Sequence, residues 1–154
     1  MPLLRKSIFR VLLLLLFIVY IIILLKVIIF KDAFINSYTY GSWKKNFLHA
    51  NLVPFYNIRY YLRGEEPFEV GVLNIVGNII AFIPFGFLLP LLFLQLRSFK
   101  KTFVTVLLTS LSFELIQLFI TYGHCDVDDI ILNTTGGVIG YLIYIIILGF
   151  LNKV

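Results

Sequence analysis

The sequence predicts an all-α integral membrane protein with four transmembrane helices and an interfacial or re-entrant segment between the first and second. Of its 154 residues, 60% are hydrophobic and only 14% are charged, and the mean hydropathy is +0.99. Such a composition is typical of a membrane protein rather than a soluble domain. The chain has room for about four spans of roughly 20 residues, so we expect residues 1–154 to form a single membrane domain.

The predicted spans are apolar runs bounded by charged or turn-forming residues. They cover residues 8–30, 73–96, 102–122 and 130–151. The first run follows a basic start, as a signal peptide would. It is longer than a signal-peptide core and lacks an A-x-A cleavage pattern, so we interpret it as an uncleaved anchor.

The segment from 32 to 72 is the least regular part of the chain. It is rich in tyrosine, carries Trp43, and alternates apolar with basic residues. Tyrosine and tryptophan settle at headgroup depth in membranes. We therefore expect either short helices lying on the membrane or a re-entrant turn around Pro54, followed by an exposed turn at Gly64–Pro67.

Loop charges predict the orientation. Arg97, Lys100 and Lys101 make the connection between the second and third spans basic, whereas the next connection holds three aspartates. The positive-inside rule then places both termini on the cytoplasmic side of the plasma membrane and the acidic loop outside. Five basic residues run against this pattern on the predicted outer side: Lys31, Lys44, Lys45, Arg59 and Arg63.

Polar side chains converge near the outer ends of the spans. Glu114 lies eight residues before Tyr122, about 12 Å below the predicted outer boundary. An ionisable group at the centre of a bilayer costs roughly 2.5–3.5 kcal/mol, so it is rarely present without a partner or a task. The outer half of the membrane and the loop beside it hold seven candidates for a polar pocket: Asn78, Glu114, Gln117, Asp126, Asp128, Asp129 and Asn133.

These residues also permit structural interpretations. Amide side chains often join membrane helices, at about 0.6 kcal/mol per contact. Asp129 could equally cap a helix that starts at Ile130. The Gly136-x-x-x-Gly140 pattern predicts close packing of two helices.

Several function classes receive no support. The net charge of +5 comes without a basic aromatic platform, so we expect membrane lipids rather than nucleic acid as partners. Cys125 is the only cysteine, which excludes an internal disulfide. The residues 124–128 match no strong metal-ligand spacing, and no nucleotide or serine-hydrolase signature is present, so no metal or cofactor is predicted. The oligomeric state stays open.

Four stretches in the same order resemble the VanZ-like family of small bacterial membrane proteins. They are Asn51–Phe55 (NLVPF), Gly77–Pro90 (GNIIAFIPFGFLLP), Ser112–Gln117 (SFELIQ) and Asp126–Gly137 (DVDDIILNTTGG), so the resemblance covers about residues 50–154. It adds Asn51 to the candidate pocket. The family commonly has an arginine before the Asp-x-Asp-Asp stretch, where this chain has GHC; His124 would replace that charge only when protonated.

The resemblance implies low-level resistance to teicoplanin-type, lipid-tailed glycopeptides, without implying a mechanism. Our first hypothesis is a non-enzymatic resistance factor whose outward-facing polar site binds the lipoglycopeptide or alters its access to cell-wall precursors. The alternative is a membrane-embedded enzyme acting on a lipid carrier or a lipid-linked cell-wall precursor, with Glu114 as general acid or base and the aspartates, including Asp129, positioning the substrate. A proton-coupled transporter is a third hypothesis, although four spans are few and no inverted repeat is visible.

Overall fold

The computed structural model describes residues 2–35, 47, 50–119 and 125–151, with the side chains of 8–28 in the first stretch. This part of the chain contains α1 (Pro2–Ile35), α2 (Tyr56–Leu62), α3 (Phe68–Leu92), α4 (Phe99–Phe119) and α5 (Val127–Leu151), with a 3-10 turn at Leu94–Leu96. Four stretches are long and apolar enough to cross a membrane: Ile8–Ile28, Phe68–Leu92, Phe99–Phe119 and Val127–Phe150. The all-α class with four membrane helices is therefore confirmed.

The helix boundaries differ from the predicted ones. The span predicted at 73–96 is a helix over Phe68–Leu92, and those predicted from 102 and 130 begin three residues earlier, at Phe99 and Val127. The end of the third predicted span, at 120–122, lies outside the described residues. An apolar run locates the hydrocarbon core, whereas a helix can begin in the polar residues before it. In α3 and α5, acidic residues of the first turn suit the positive end of the helix dipole.

The segment between the first two spans is only partly described, since 36–46 and 48–49 lie outside the described residues. Its described portion includes α2, which follows Phe55, a residue in the left-handed backbone region with φ of 63°. Beyond Arg63 at the C-terminal end of α2, Gly64 takes φ of 71°, which glycine adopts without steric cost. The predicted turn at 64–67 is confirmed, while the depth of α2 in a membrane stays a prediction.

The predicted glycine packing is confirmed. A Cβ on Gly136 or Gly140 would overlap the carbonyl oxygen of Ile79 or Ile83 in α3, and a Cβ on Gly86 would overlap the carbonyl of Gly137. Glycine therefore lets the backbones of α3 and α5 approach closely, as small residues do between membrane helices. This seam holds the starts of α3 and α5 beside each other.

Aromatic side chains fill the other side of α3. Phe82 contacts Phe85 and Phe113 with ring centroids 5.8 and 6.1 Å apart, and Phe17 of α1 stacks on Phe85 at 6.1 Å. The Tyr20 hydroxyl donates a 2.6 Å hydrogen bond to the Ala81 carbonyl, which also joins α1 to α3. Most of the described apolar side chains of α1 are exposed, as expected for a helix that faces lipid.

The two ends of the helix bundle differ in chemistry. At one end, the Tyr141 hydroxyl of α5 donates to the Arg97 carbonyl (3.0 Å), and Lys100 and Lys101 are exposed nearby in sequence. At the other end, the last turns of α4, the first turn of α5 and residues 50–58 come together. The predicted polar residues lie at this second end.

Candidate functional site: a buried carboxylate network

Asp126 is the centre of the site. It precedes α5, and its Oδ1 accepts the backbone N–H of Asp128 at 2.9 Å, which caps the helix. The same Oδ1 accepts the Asn51 amide at 2.7 Å, and Oδ2 accepts the Asn57 amide at 2.8 Å. Both carboxylate oxygens of a side chain that is only 5% exposed thus face N–H donors.

Backbone pairing reinforces the contact between Asn51 and Asp126. The N–H of Asn51 donates to the Cys125 carbonyl at 2.9 Å, and the N–H of Val127 donates to the Asn51 carbonyl at 3.0 Å. These bonds form an isolated parallel bridge between Asn51 and Asp126. The segment before α2 is therefore attached to the start of α5 through both its backbone and its side chain.

Glu114 connects α4 to the network. It lies on α4, is fully buried at 0% exposure, and its Oε2 accepts the backbone N–H of Asp126 at 2.8 Å. The one acidic residue within the third predicted span thus contacts the acidic loop that follows it. The structure thus brings these two features together, while their function as one site stays a prediction.

Asp128 holds α2 in place. Its Oδ1 accepts the N–H of Phe55 at 2.5 Å and its Oδ2 accepts the N–H of Ile58 at 3.0 Å, so a carboxylate of α5 caps the first turn of α2. No side chain of α2 or of Phe55 itself supplies this cap. Phe55, whose N–H donates to the Asp128 carboxylate, has a left-handed backbone conformation.

Asp129 does not cap α5, which corrects the sequence-based alternative. The helix begins at Val127, so Asp129 lies inside the first turn, and Asp126 supplies the cap instead. The Asp129 Oδ1 accepts the Asn78 amide of α3 at 2.5 Å in a buried contact. Asn78 and Asp129 therefore link α3 to the network.

Two of the predicted residues have other contacts. The Gln117 amide donates to the Ile28 carbonyl of α1 at 2.9 Å. One and a half turns into α5, the Asn133 amide donates to the Ser110 hydroxyl at 3.0 Å. Asn133 Oδ1 and Thr134 Oγ1 are buried and accept or donate no hydrogen bond among the described residues. Gln117 and Asn133 thus connect helices beside the network, as the structural interpretation of the amides predicts.

Sequence reasoning missed three contributors to the site. Asn57 and Ser110 supply side-chain hydrogen bonds, and Ile58 supplies a backbone N–H. Asn57 is a polar residue in an otherwise aromatic and basic stretch, and that contrast is a signal that could have been used. No sequence pattern indicates that the Ile58 backbone faces Asp128.

The surroundings of Cys125 show the electrostatic character of the site. Burial and, after it, the repulsion of a thiolate by the nearby carboxylates of Glu114, Asp126 and Asp129 together raise the pKa of its half-buried thiol to about 11. The region therefore disfavours additional negative charge. Among the described residues, no group of three His, Cys, Asp or Glu side chains is arranged to hold a metal ion; His124 lies outside them.

The fold and site together define a small multi-pass membrane protein whose helices enclose a network of buried carboxylates and amides at one end. The VanZ/LLP1 family model matches residues 17–148. The chain belongs to that family. It is 35% identical to Protein VanZ of Enterococcus faecium over 99 residues, which are 63% of this chain and 61% of that protein. The match thus spans about three fifths of the curated relative, and no solved structure matches the chain.

Proposed function

We propose that this VanZ-like membrane protein contributes to low-level resistance to teicoplanin-type lipoglycopeptides as a non-enzymatic factor at the outer face of the plasma membrane. The observation that carries the proposal is the buried network of Glu114, Asp126, Asp128 and Asp129. Grouping ionisable side chains inside a membrane protein is costly, and contacts that merely join helices need no charge. Membership of the VanZ/LLP1 family supports the same conclusion.

The network has a structural consequence that suits this role. Asp126 and Asp128 hold the segment 51–58 at the end of the bundle, with Leu52, Val53 and Tyr56 exposed. An exposed apolar and aromatic surface beside the membrane boundary is suited to an acyl tail. We propose that the tail of the drug contacts this surface, which alters how the drug reaches cell-wall precursors.

The test is drug susceptibility in a sensitive Gram-positive host that expresses the chain. The inhibitory concentration of teicoplanin should rise, that of tail-free vancomycin should not, and Glu114→Gln or Asp129→Asn should remove the effect at matched membrane levels. Glu69→Gln is the matched control, because Glu69 is an exposed acid in the first turn of α3. Equal protection against vancomycin, or none against either drug, would contradict the proposal.

A membrane-embedded enzyme acting on a lipid carrier or lipid-linked wall precursor is the alternative. The observation in its favour is that Glu114 lies 2.8 Å from the backbone of an aspartate-rich turn, so several carboxylates share one small region. Carboxylates are suitable general acids and bases. Lipid extracts of cells with the wild type and with Glu114→Gln should then differ in composition, and identical extracts would count against an enzyme.

The proposed orientation places both termini in the cytoplasm and the carboxylate network outside. It is supported by the basic residues at the opposite end of the bundle, near the turn at Leu94–Leu96. A cysteine at Glu65 in a Cys125→Ser background should react with a membrane-impermeant maleimide in intact cells. A cysteine at Lys100 should not react until the membrane is opened. The reverse pattern would invert the topology.

A further inference from the structure

A cationic groove lies along the exposed side of α2. Arg59 and Arg63 are one helical turn apart, as are Tyr56 and Tyr60, so each pair shares a face. All four line a groove of about 170 Å³ together with Val53, Pro54 and Glu65. Two guanidinium groups beside two phenol rings form a surface that favours an anion with an apolar body.

The arginines are available to a ligand. Arg59 forms no ion pair with any described residue, and Arg63 has only a 3.8 Å contact to Glu65, with the two side chains 70% and 47% exposed. An exposed pair of this kind contributes little, so an anion of higher charge can displace the carboxylate. Guanidinium groups bind phosphate in a bidentate manner, which makes a phosphate the best match.

The position of the groove indicates where the phosphate comes from. The turn 63–67 leads directly into Phe68, the first residue of a helix long and apolar enough to cross a membrane, which favours the predicted position of α2 at headgroup level. A second, mainly apolar groove of about 450 Å³ lies between α2 and α3, lined among others by Leu62, Phe68, Val72 and Val76. The surroundings of α2 thus offer contacts for both parts of a lipid.

We propose that the cationic groove along α2 binds an anionic phospholipid, with the lipid phosphate held by Arg59 and Arg63. The tyrosine rings contact the glycerol region, and the acyl chains follow the apolar surface toward α3. Asp128 positions the groove, because it caps the helix that carries both arginines. This inference does not depend on the resistance proposal, and its test uses lipid alone.

The test is native mass spectrometry of the full chain in detergent micelles, titrated with dioleoylphosphatidylglycerol and, separately, with dioleoylphosphatidylcholine. The anionic lipid should bind at least tenfold more tightly than the zwitterionic one. Arg59→Gln with Arg63→Gln should weaken its binding roughly ten- to thirtyfold, since each basic residue near an anionic headgroup strengthens binding about fivefold. The matched control is Lys100→Gln with Lys101→Gln, which removes the same charge at the opposite end and should change binding by less than about threefold.

A gain of affinity provides an independent test. Glu65→Gln removes the carboxylate that competes for Arg63, so phosphatidylglycerol should bind a few-fold more tightly. Glu69→Gln removes the same charge from a residue that does not line the groove, and it should have a smaller effect. Unchanged thermal unfolding of every variant would show that the fold is retained.

Three outcomes would overturn the proposal. Equal affinity for the two lipids would exclude recognition of the phosphate charge. An equal loss of affinity in the arginine and lysine double variants would show that net charge alone accounts for the binding. Displacement of the lipid by glycerol 3-phosphate at equal concentration would assign the groove to free phosphate instead of a lipid.

Discussion

The backbone N–H of Asp126 donates a 2.8 Å hydrogen bond to Oε2 of Glu114, which joins the residue that caps α5 to the buried acid of α4. Asp126 in turn accepts the Asn51 and Asn57 amides, and Asp128 caps α2. Glu114 therefore supports Asp126, whose carboxylate binds two side chains of the segment 51–58. A substitution that removes the Glu114 carboxylate should therefore also destabilise the attachment of α2, although the two are far apart in sequence.

Glu114→Ala should destabilise the protein more than Glu114→Gln. Alanine leaves the buried N–H of Asp126 without its acceptor, which costs about 1–3 kcal/mol, whereas the glutamine carbonyl can still accept that hydrogen bond. The measurement is the thermal unfolding midpoint in detergent, where each kcal/mol corresponds to roughly 2–4 °C. Glu69→Ala, an exposed acid-to-alanine change, should leave the midpoint within about 2 °C. Equal losses for the alanine and glutamine variants would show that the hydrogen bond contributes nothing measurable.

Asp128→Ala should loosen α2 specifically. The substitution removes the acceptor of the Phe55 and Ile58 N–H groups, so local opening of α2 should become about 1–3 kcal/mol easier. Hydrogen–deuterium exchange of peptides covering 53–62 should accelerate by roughly ten- to hundredfold, while α3 keeps its protection. Glu65→Ala serves as control, because Glu65 is an exposed acid just after α2 that caps no helix. Unchanged exchange in Asp128→Ala would mean that α2 is held by other contacts.

The glycine seam predicts a contrast between glycines of the same helices. Gly86→Ala and Gly137→Ala place a methyl group against backbone or packed side-chain atoms, so we expect a loss of about 1–3 kcal/mol or failure to fold. Gly77→Ala in α3 and Gly149→Ala in α5 meet nothing within 4 Å and should be neutral or slightly stabilising, because alanine favours a helix. The four variants can be compared by their size-exclusion profiles and their unfolding midpoints in detergent. Equal tolerance at all four positions would contradict the close approach of α3 and α5.

The sequence predicts the class of fold and the location of the site because both depend on polarity alone. Four apolar runs must form helices in lipid, where each backbone group needs a partner within its own segment. Glu114, Asn78 and the aspartates are each conspicuous as polar groups near the same membrane boundary. Counting helical rise from that boundary was enough to expect them to converge.

The pairing inside the site depends on information that polarity does not carry. The cap of α5 falls at Asp126 instead of Asp129 because the helix starts three residues before the apolar run. The contact between Asp128 and α2 includes the N–H of Phe55, which has a left-handed backbone that this residue type rarely adopts. Asn51 is predicted as a site residue only from the family resemblance. The backbone bridge between Asn51 and Asp126 explains physically why it belongs there.

Cys125 offers a chemical probe of the network, since it is the only cysteine in the chain. Its pKa is raised to about 11, first by burial and then by the carboxylates of Glu114, Asp126 and Asp129. An ordinary thiol titrates near 8.5, so at pH 8 the reactive thiolate of Cys125 should be roughly two-hundredfold scarcer. Maleimide labelling of the folded protein at pH 8 should be slower by about that factor than labelling of the denatured chain, which serves as the internal reference.

The pH dependence of labelling gives the sign of the electrostatic effect. For the folded protein, the rate should rise about tenfold per pH unit from 8 and level off only near 11, while the denatured chain levels off near 8.5. Glu114→Gln removes the first of the three repelling carboxylates, so the pKa should fall and labelling at pH 8 should accelerate. Burial remains in that variant, so its rate should stay well below that of the denatured chain. A folded protein that labels as fast as the denatured one, or a Glu114→Gln variant that labels more slowly than the wild type, would contradict a thiol buried beside these carboxylates.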